Sequence, residues 1–175
     1  VAANNVPGLG WVGSLTNLSG TNGYWFKSTS QDEIDFVYNE PHLLSKSAII
    51  TPKKPSLELS YEQSTQQSFY FIKSIEDVEI GDWVVAYNDN VVVGSREWLG
   101  SYTDVPAMGY DSDLNTAGYC ESGDKVKFKL YKQDGRVLNL SYSNVPVWEE
   151  NGIHTLESLE IVKVPELLTI QSVYP

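Results

Sequence analysis

The 175-residue chain is 41% hydrophobic and 12% aromatic and carries a formal charge of −11, enough apolar content for one full domain with a core. A surface this acidic repels phosphate backbones and anionic membranes, which sets aside nucleic-acid partners, and no apolar run approaches the ~20 residues that insert across a bilayer. A single cysteine, Cys120, excludes an internal disulfide and a cysteine-rich metal site, and reads as a small buried hydrophobe.

The chain opens at Val1 within a polar, loop-like stretch, so residues 1–38 read as the C-terminal part of a truncated small β module. Within it Gly20-Thr21-Asn22-Gly23 is a turn, and Tyr24–Lys27 and Ile34–Tyr38 are short strands. So small a piece must pack on something else to bury its apolar surface. Residues 39–60 hold three prolines and the pair Lys53-Lys54, the composition of an exposed linker.

From Tyr61 the strand signals come at short intervals: Ser68–Ile75, Asp82–Tyr87, Val91–Arg96, Lys125–Tyr131, Val137–Tyr142 and Leu156–Val164. Two β-branched runs flank Asn88-Asp89-Asn90, a turn whose residues tolerate left-handed backbone angles. Lys125–Tyr131 alternates polar and apolar, which buries one face and leaves Lys125, Lys127 and Lys129 on the other. Gln133–Arg136 makes a second hairpin turn. The expectation is an all-β chain: a small β-hairpin element followed by an antiparallel β-sandwich of the immunoglobulin or jelly-roll kind over 61–163. A C-terminal extension, 164–175, follows, and Ile161–Tyr174 offers a strand for edge pairing. Trp11–Leu18 is echoed 87 residues later by Trp98–Val105, through duplication, chance or shared turn chemistry.

No constellation for catalysis stands out, and the expected function is not enzymatic. The two histidines, His42 and His154, read as surface residues, and no activated serine or cysteine motif is present. Glu97 with Asp104 or Asp111 would be the pair to run glycoside hydrolysis. The candidate metal is calcium: Asp111, Asp113 and Asn115 have the spacing that aims several oxygens at a hard cation, with Asp104 and Glu121 nearby in sequence. Thr116 and Ser122 stand where an EF-hand needs Gly and Glu, and a metal-free Asx turn is the alternative. The candidate ligand-binding rings are Trp98, Tyr102 and Tyr110, which would stack on sugars or anchor protein partners. In the alternative Trp98 closes the core while the tyrosines pin the loop.

Residues 69–159 resemble a β module of the large VrlC-like virion structural proteins of marine cyanophages, also found in secreted bacterial surface proteins. The resemblance lies in Gly81–Asn88, Val93–Trp98, Asp104–Gly109 and Ala117–Tyr119, then Gly123-Asp124 with Phe128–Tyr131, and Val145–Trp148 with Asn151–Ile153. Gly13–Thr16 with Gly23–Lys27 is similar to the end of a G-Y-W-x-K repeat of bacterial surface proteins. The resemblance implies a β-sandwich in a virion, as part of a peripheral baseplate, tail fibre or decoration protein serving host attachment. Its partners would be other virion or surface subunits in a multimeric assembly, or a host surface glycan. The other setting it implies is a secreted bacterial adhesin or carbohydrate-binding module at the cell surface. It brings no catalytic site with it.

Overall fold

A computed structural model describes residues 1–18, 22–28, 30, 54–144 and 146–163. Ten strands carry the fold, with two short 3-10 turns and no α-helix among the described residues: β1 (Asn4–Val6), β2 (Gly10–Val12), β3 (Gln67–Ile72), β4 (Trp83–Asn88), β5 (Val91–Glu97), β6 (Thr103–Met108), β7 (Lys127–Tyr131), β8 (Val137–Ser141), β9 (Gly152–Leu156) and β10 (Glu160–Ile161). A five-stranded sheet, ordered β10-β8-β7-β4-β5, faces a three-stranded sheet, β6-β3-β9. The β1–β2 hairpin forms its own small sheet. The all-β sandwich with a preceding hairpin is therefore what the chain builds.

Period-two alternation sets which side chains meet between the layers. Val84 and Ala86 of β4, Phe128 and Leu130 of β7, Tyr70 and Ile72 of β3, and Val105 and Ala107 of β6 are all buried in one cluster. Each valine, leucine, isoleucine or phenylalanine among them contributes about 1.5–3 kcal/mol on leaving water. Tyr70 meets Phe128 across the layers edge-to-face, with centroids 5.3 Å apart at 72°. Trp148 seals one end of the core and donates its indole N–H to the Ala107 carbonyl at 2.9 Å. Cys120 is buried there too, and desolvation pushes its thiol up to about 12, so it stays protonated.

Several expectations need correction. The sandwich is not purely antiparallel, because β9 runs parallel to β3, pairing Ser68 with Gly152 and Ile72 with Leu156. A strand is present at 103–108, between the strands expected at 91–96 and 125–131. Asp104 and Pro106 depress its β propensity, and Pro106 is tolerated because β6 is an edge strand paired only with β3. The expected Leu156–Val164 strand is displaced: β9 ends at Leu156 and β10 spans two residues. Tyr24–Lys27 forms no strand. The Ile34–Tyr38 strand, His42, Lys53 and residues 164–175 lie outside the described residues.

The end of the expected linker packs on the sandwich. The 3-10 turn Leu57–Leu59 lays Leu59, buried, against Val85 and Tyr87 on the outer face of the large sheet. Ser95 Oγ donates to the Leu59 carbonyl at 2.8 Å. Elsewhere Lys132 and Asp82 form a sealed ion pair at 2.8 Å, with side chains 3% and 0% exposed. Asp82 also accepts the N–H groups of Glu79 and Gln133, which tie the 79–82 turn to the β7–β8 hairpin. Together the three donors hold the Asp82 carboxyl below its ordinary value despite desolvation.

Candidate functional site

The three candidate rings do not come together. Trp98, 5% exposed, lies in the core cluster, so its face is not offered to a ligand. Tyr102 is half-buried in the turn before β6, with φ 64, whereas Tyr110 is exposed just beyond its far end. Eight residue steps along an extended strand separate them by about 25 Å. One sugar ring or side chain cannot bridge that distance. The sequence reveals that these residues are aromatic but not which way the backbone turns them.

Asp111, Asp113 and Asn115 do lie in one tight loop, and they are the residues that could hold calcium. Both oxygens of Asp111 and one of Asp113 also accept hydrogen bonds within the protein. Asp111 Oδ1 accepts the Thr116 hydroxyl at 2.7 Å and the Asp113 N–H at 3.2 Å, and Oδ2 accepts the Thr65 N–H at 3.2 Å. Asp113 caps the short turn Leu114–Thr116 by accepting the Asn115 N–H at 2.8 Å. Among the described residues no group of three or more His, Cys, Asp or Glu side chains is placed to hold a metal ion. The loop closes on its own donors and pins the entry to β3.

The Thr116 hydroxyl and the Thr65 N–H pull the Asp111 carboxyl down to about 2. Because the folded value is depressed, the stabilisation from this group is full above the ordinary 3.8 and is lost as pH falls toward 2. Carboxyl-carbon NMR should place the Asp111 midpoint well below 3, and Thr116→Val should return it toward 3.8. An Asp111 midpoint near the ordinary value in the unsubstituted chain would remove this account of the loop.

Of the acids considered for glycoside hydrolysis, Asp111 is tied to the Thr116 hydroxyl and the Thr65 N–H. Asp104 is buried and fully engaged. His154, expected at the surface, instead stacks on Tyr70 at 4.8 Å with its Nε2 buried and without a hydrogen-bond partner. Ser68 and Glu149 lie beside it, but Ser68 is buried and donates its hydroxyl to the Glu149 carbonyl. That hydroxyl is committed to structure, so the trio does not have the form of an activated nucleophile.

What sequence reasoning missed is the surface built around the N-terminal arm. In the hairpin, Pro7-Gly8-Leu9 makes the turn, with Gly8 at φ 79, and Asn5 pairs with Trp11. Both point outward, leaving Trp11 75% exposed. The base of the hairpin is fastened by Asp104. Its Oδ2 accepts the Ala2 N–H at 2.9 Å and the Ser14 hydroxyl at 2.8 Å, and its Oδ1 accepts the Ser14 N–H at 2.8 Å. Arg96 reaches Oδ2 with Nη2 at 3.4 Å and donates Nε–H to the Asp104 carbonyl at 2.9 Å. Gly13 lies so close to Phe71 of β3 that a Cβ there would come within 2.6 Å of the ring. The arm thus covers the outer face of the small sheet and presents Trp11 from a fixed base.

A second exposed ring, Trp25 at 85%, sits on residues 22–28. Lys27 anchors that segment beside β9, donating to the Asn151 carbonyl at 3.4 Å and pairing with Glu149 at 3.6 Å. The available signal was the W-x-G-S echo. Gly13 and Gly100 share positive φ values of 109 and 116, although Tyr102 adds a positive φ of 64 that its counterpart Leu15 lacks. Comparison with family models, with characterised proteins and with solved structures finds no match for the chain.

Proposed function

We propose that this chain is a non-enzymatic structural and attachment module of a cyanophage particle, within a peripheral baseplate, tail-fibre or decoration protein. The observation that carries the reading is the pair of outward-facing tryptophans, Trp11 and Trp25, on segments tied to a stiff double-layered body. Tryptophan is enriched among residues that dominate protein interfaces, each typically worth 2 kcal/mol or more when truncated. The acidic surface suits a component that must stay soluble until it meets its partner. The motif resemblance of residues 69–159 points to the same setting.

Assembly measures it. Peptide mass spectrometry of purified particles should recover the chain, and Trp11→Ala with Trp25→Ala should cut its incorporation about thirtyfold or more. Absence from particles, or equal incorporation of the variant, would overturn the proposal. A secreted bacterial adhesin or carbohydrate-binding module is the second reading, favoured by the same rings because sugar faces stack on them. A glycan array decides it: retention of the wild type but not of Trp11→Ala or Trp25→Ala is the expected pattern, and two identical profiles remove the idea.

A further inference from the structure

Gly152, at the start of β9, is where three side chains converge. A Cβ placed on it would lie 2.4 Å from Ser68 Oγ, 2.6 Å from His154 Nε2 and 2.9 Å from Glu149 Cγ. His154 Nε2 is buried without a partner, an arrangement that costs about 1–3 kcal/mol. The charged and titratable groups facing the imidazole are few: Tyr70 from β3, Glu149 from the turn before β9, and Lys27 from residues 22–28. Glu149 is the one anion in this set. It currently pairs with Lys27 at 3.6 Å, in a contact whose two side chains are about half exposed.

Protonation turns a buried neutral ring with an unpartnered nitrogen into a buried cation, which demands an acceptor and a counter-charge. Glu149, whose Cγ converges with Nε2 on Gly152, is the anion placed to supply both, and in doing so it would leave Lys27. We infer that His154 and Glu149 form an acid-operated exchange, in which protonated His154 takes the Glu149 carboxylate from Lys27 and loosens residues 22–28 from β9. The segment set loose is the one that presents Trp25. The site is therefore a pH-sensitive control on a surface ring, independent of what that ring binds.

The direction of the titration follows from the surroundings. Burial, more than the opposing charge of Glu149, holds the folded imidazole below its ordinary 6.5. The neutral form is favoured in the fold, so its contribution to stability is full above 6.5 and is lost as pH falls through the lower folded value.

NMR titration of the whole chain tests the exchange. The amide resonances of residues 22–28 should move with the same midpoint as the His154 ring, below 6.5. His154→Gln should abolish that transition in the segment. Lys27→Ala should raise the His154 midpoint by about half a pH unit, because the competitor for Glu149 is gone. A segment indifferent to pH while the ring titrates would overturn the inference. So would an unmoved midpoint in Lys27→Ala, a reading available even if His154→Gln fails to fold.

Discussion

Asp104→Ala is expected to cost about 3–5 kcal/mol and to detach the N-terminal arm. The substitution removes the acceptor for both N–H groups and the hydroxyl that fix Ala2 and Ser14, so the hairpin loses its base. It also leaves the Arg96 guanidinium, whose side chain is 9% exposed, buried without its carboxylate. The second effect is the larger, because an uncompensated buried charge carries the desolvation penalty in full. For a chain of this length the melting temperature should fall by about 10 °C. Ser14→Ala, which removes one hydroxyl donor and leaves Arg96 paired, should cost only about 1 kcal/mol. Limited proteolysis provides the structural readout, with cleavage within residues 1–18 accelerating in Asp104→Ala before the body unfolds. An arm that stays protected in Asp104→Ala, with stability changed by less than 1 kcal/mol, would mean that Asp104 is not the fastening.

Gly94→Ala is expected to abolish stable folding, or at the least to cost more than about 3 kcal/mol. Gly94 lies in β5 where the edge of the large sheet crosses β6, and a Cβ there would come 1.7 Å from the Pro106 carbonyl oxygen. The obstacle is backbone on both sides, so no rotamer change relieves it, and the two layers would have to separate. Separation exposes Val93, Val105 and Ala107, all now buried. Gly135→Ala is the control, since a Cβ at Gly135 meets nothing within 4 Å, although its positive φ of 90 still carries a local strain. Denaturant unfolding should therefore rank Gly94→Ala far below Gly135→Ala. Near-equal midpoints would show that the sheets have more slack at this crossing than the packing implies.

How much of this was legible depended on whether the signal was local. The hairpin β4–β5 could be read because Asn88-Asp89-Asn90 separates two β-branched runs, and Asp89 does adopt the left-handed φ of 49. The strand β7 could be read because its alternation is unbroken. By contrast, β6 was hidden by Asp104 and Pro106, residues that disfavour strands in general and are accommodated here by an edge position and a buried counter-ion. The parallel pairing of β3 with β9 joins positions 84 residues apart, Ser68 with Gly152, and no local pattern encodes it. The site failed for the same reason. Aromatic identity marked Trp98 as a candidate ring and passed over Trp11, because exposure is decided by what packs on top, not by the residue itself.

The paired W-x-G-S strings sharpen that contrast. Trp11 and Trp98 each stand two residues before a glycine of positive φ, yet one is 75% exposed and the other 5%. Folding alone should therefore accept almost any side chain at 11 while tolerating few at 98. The two positions become an internal calibration: natural variation at 98 reports what the core requires, and any stricter retention of tryptophan at 11 would measure selection for something outside the molecule.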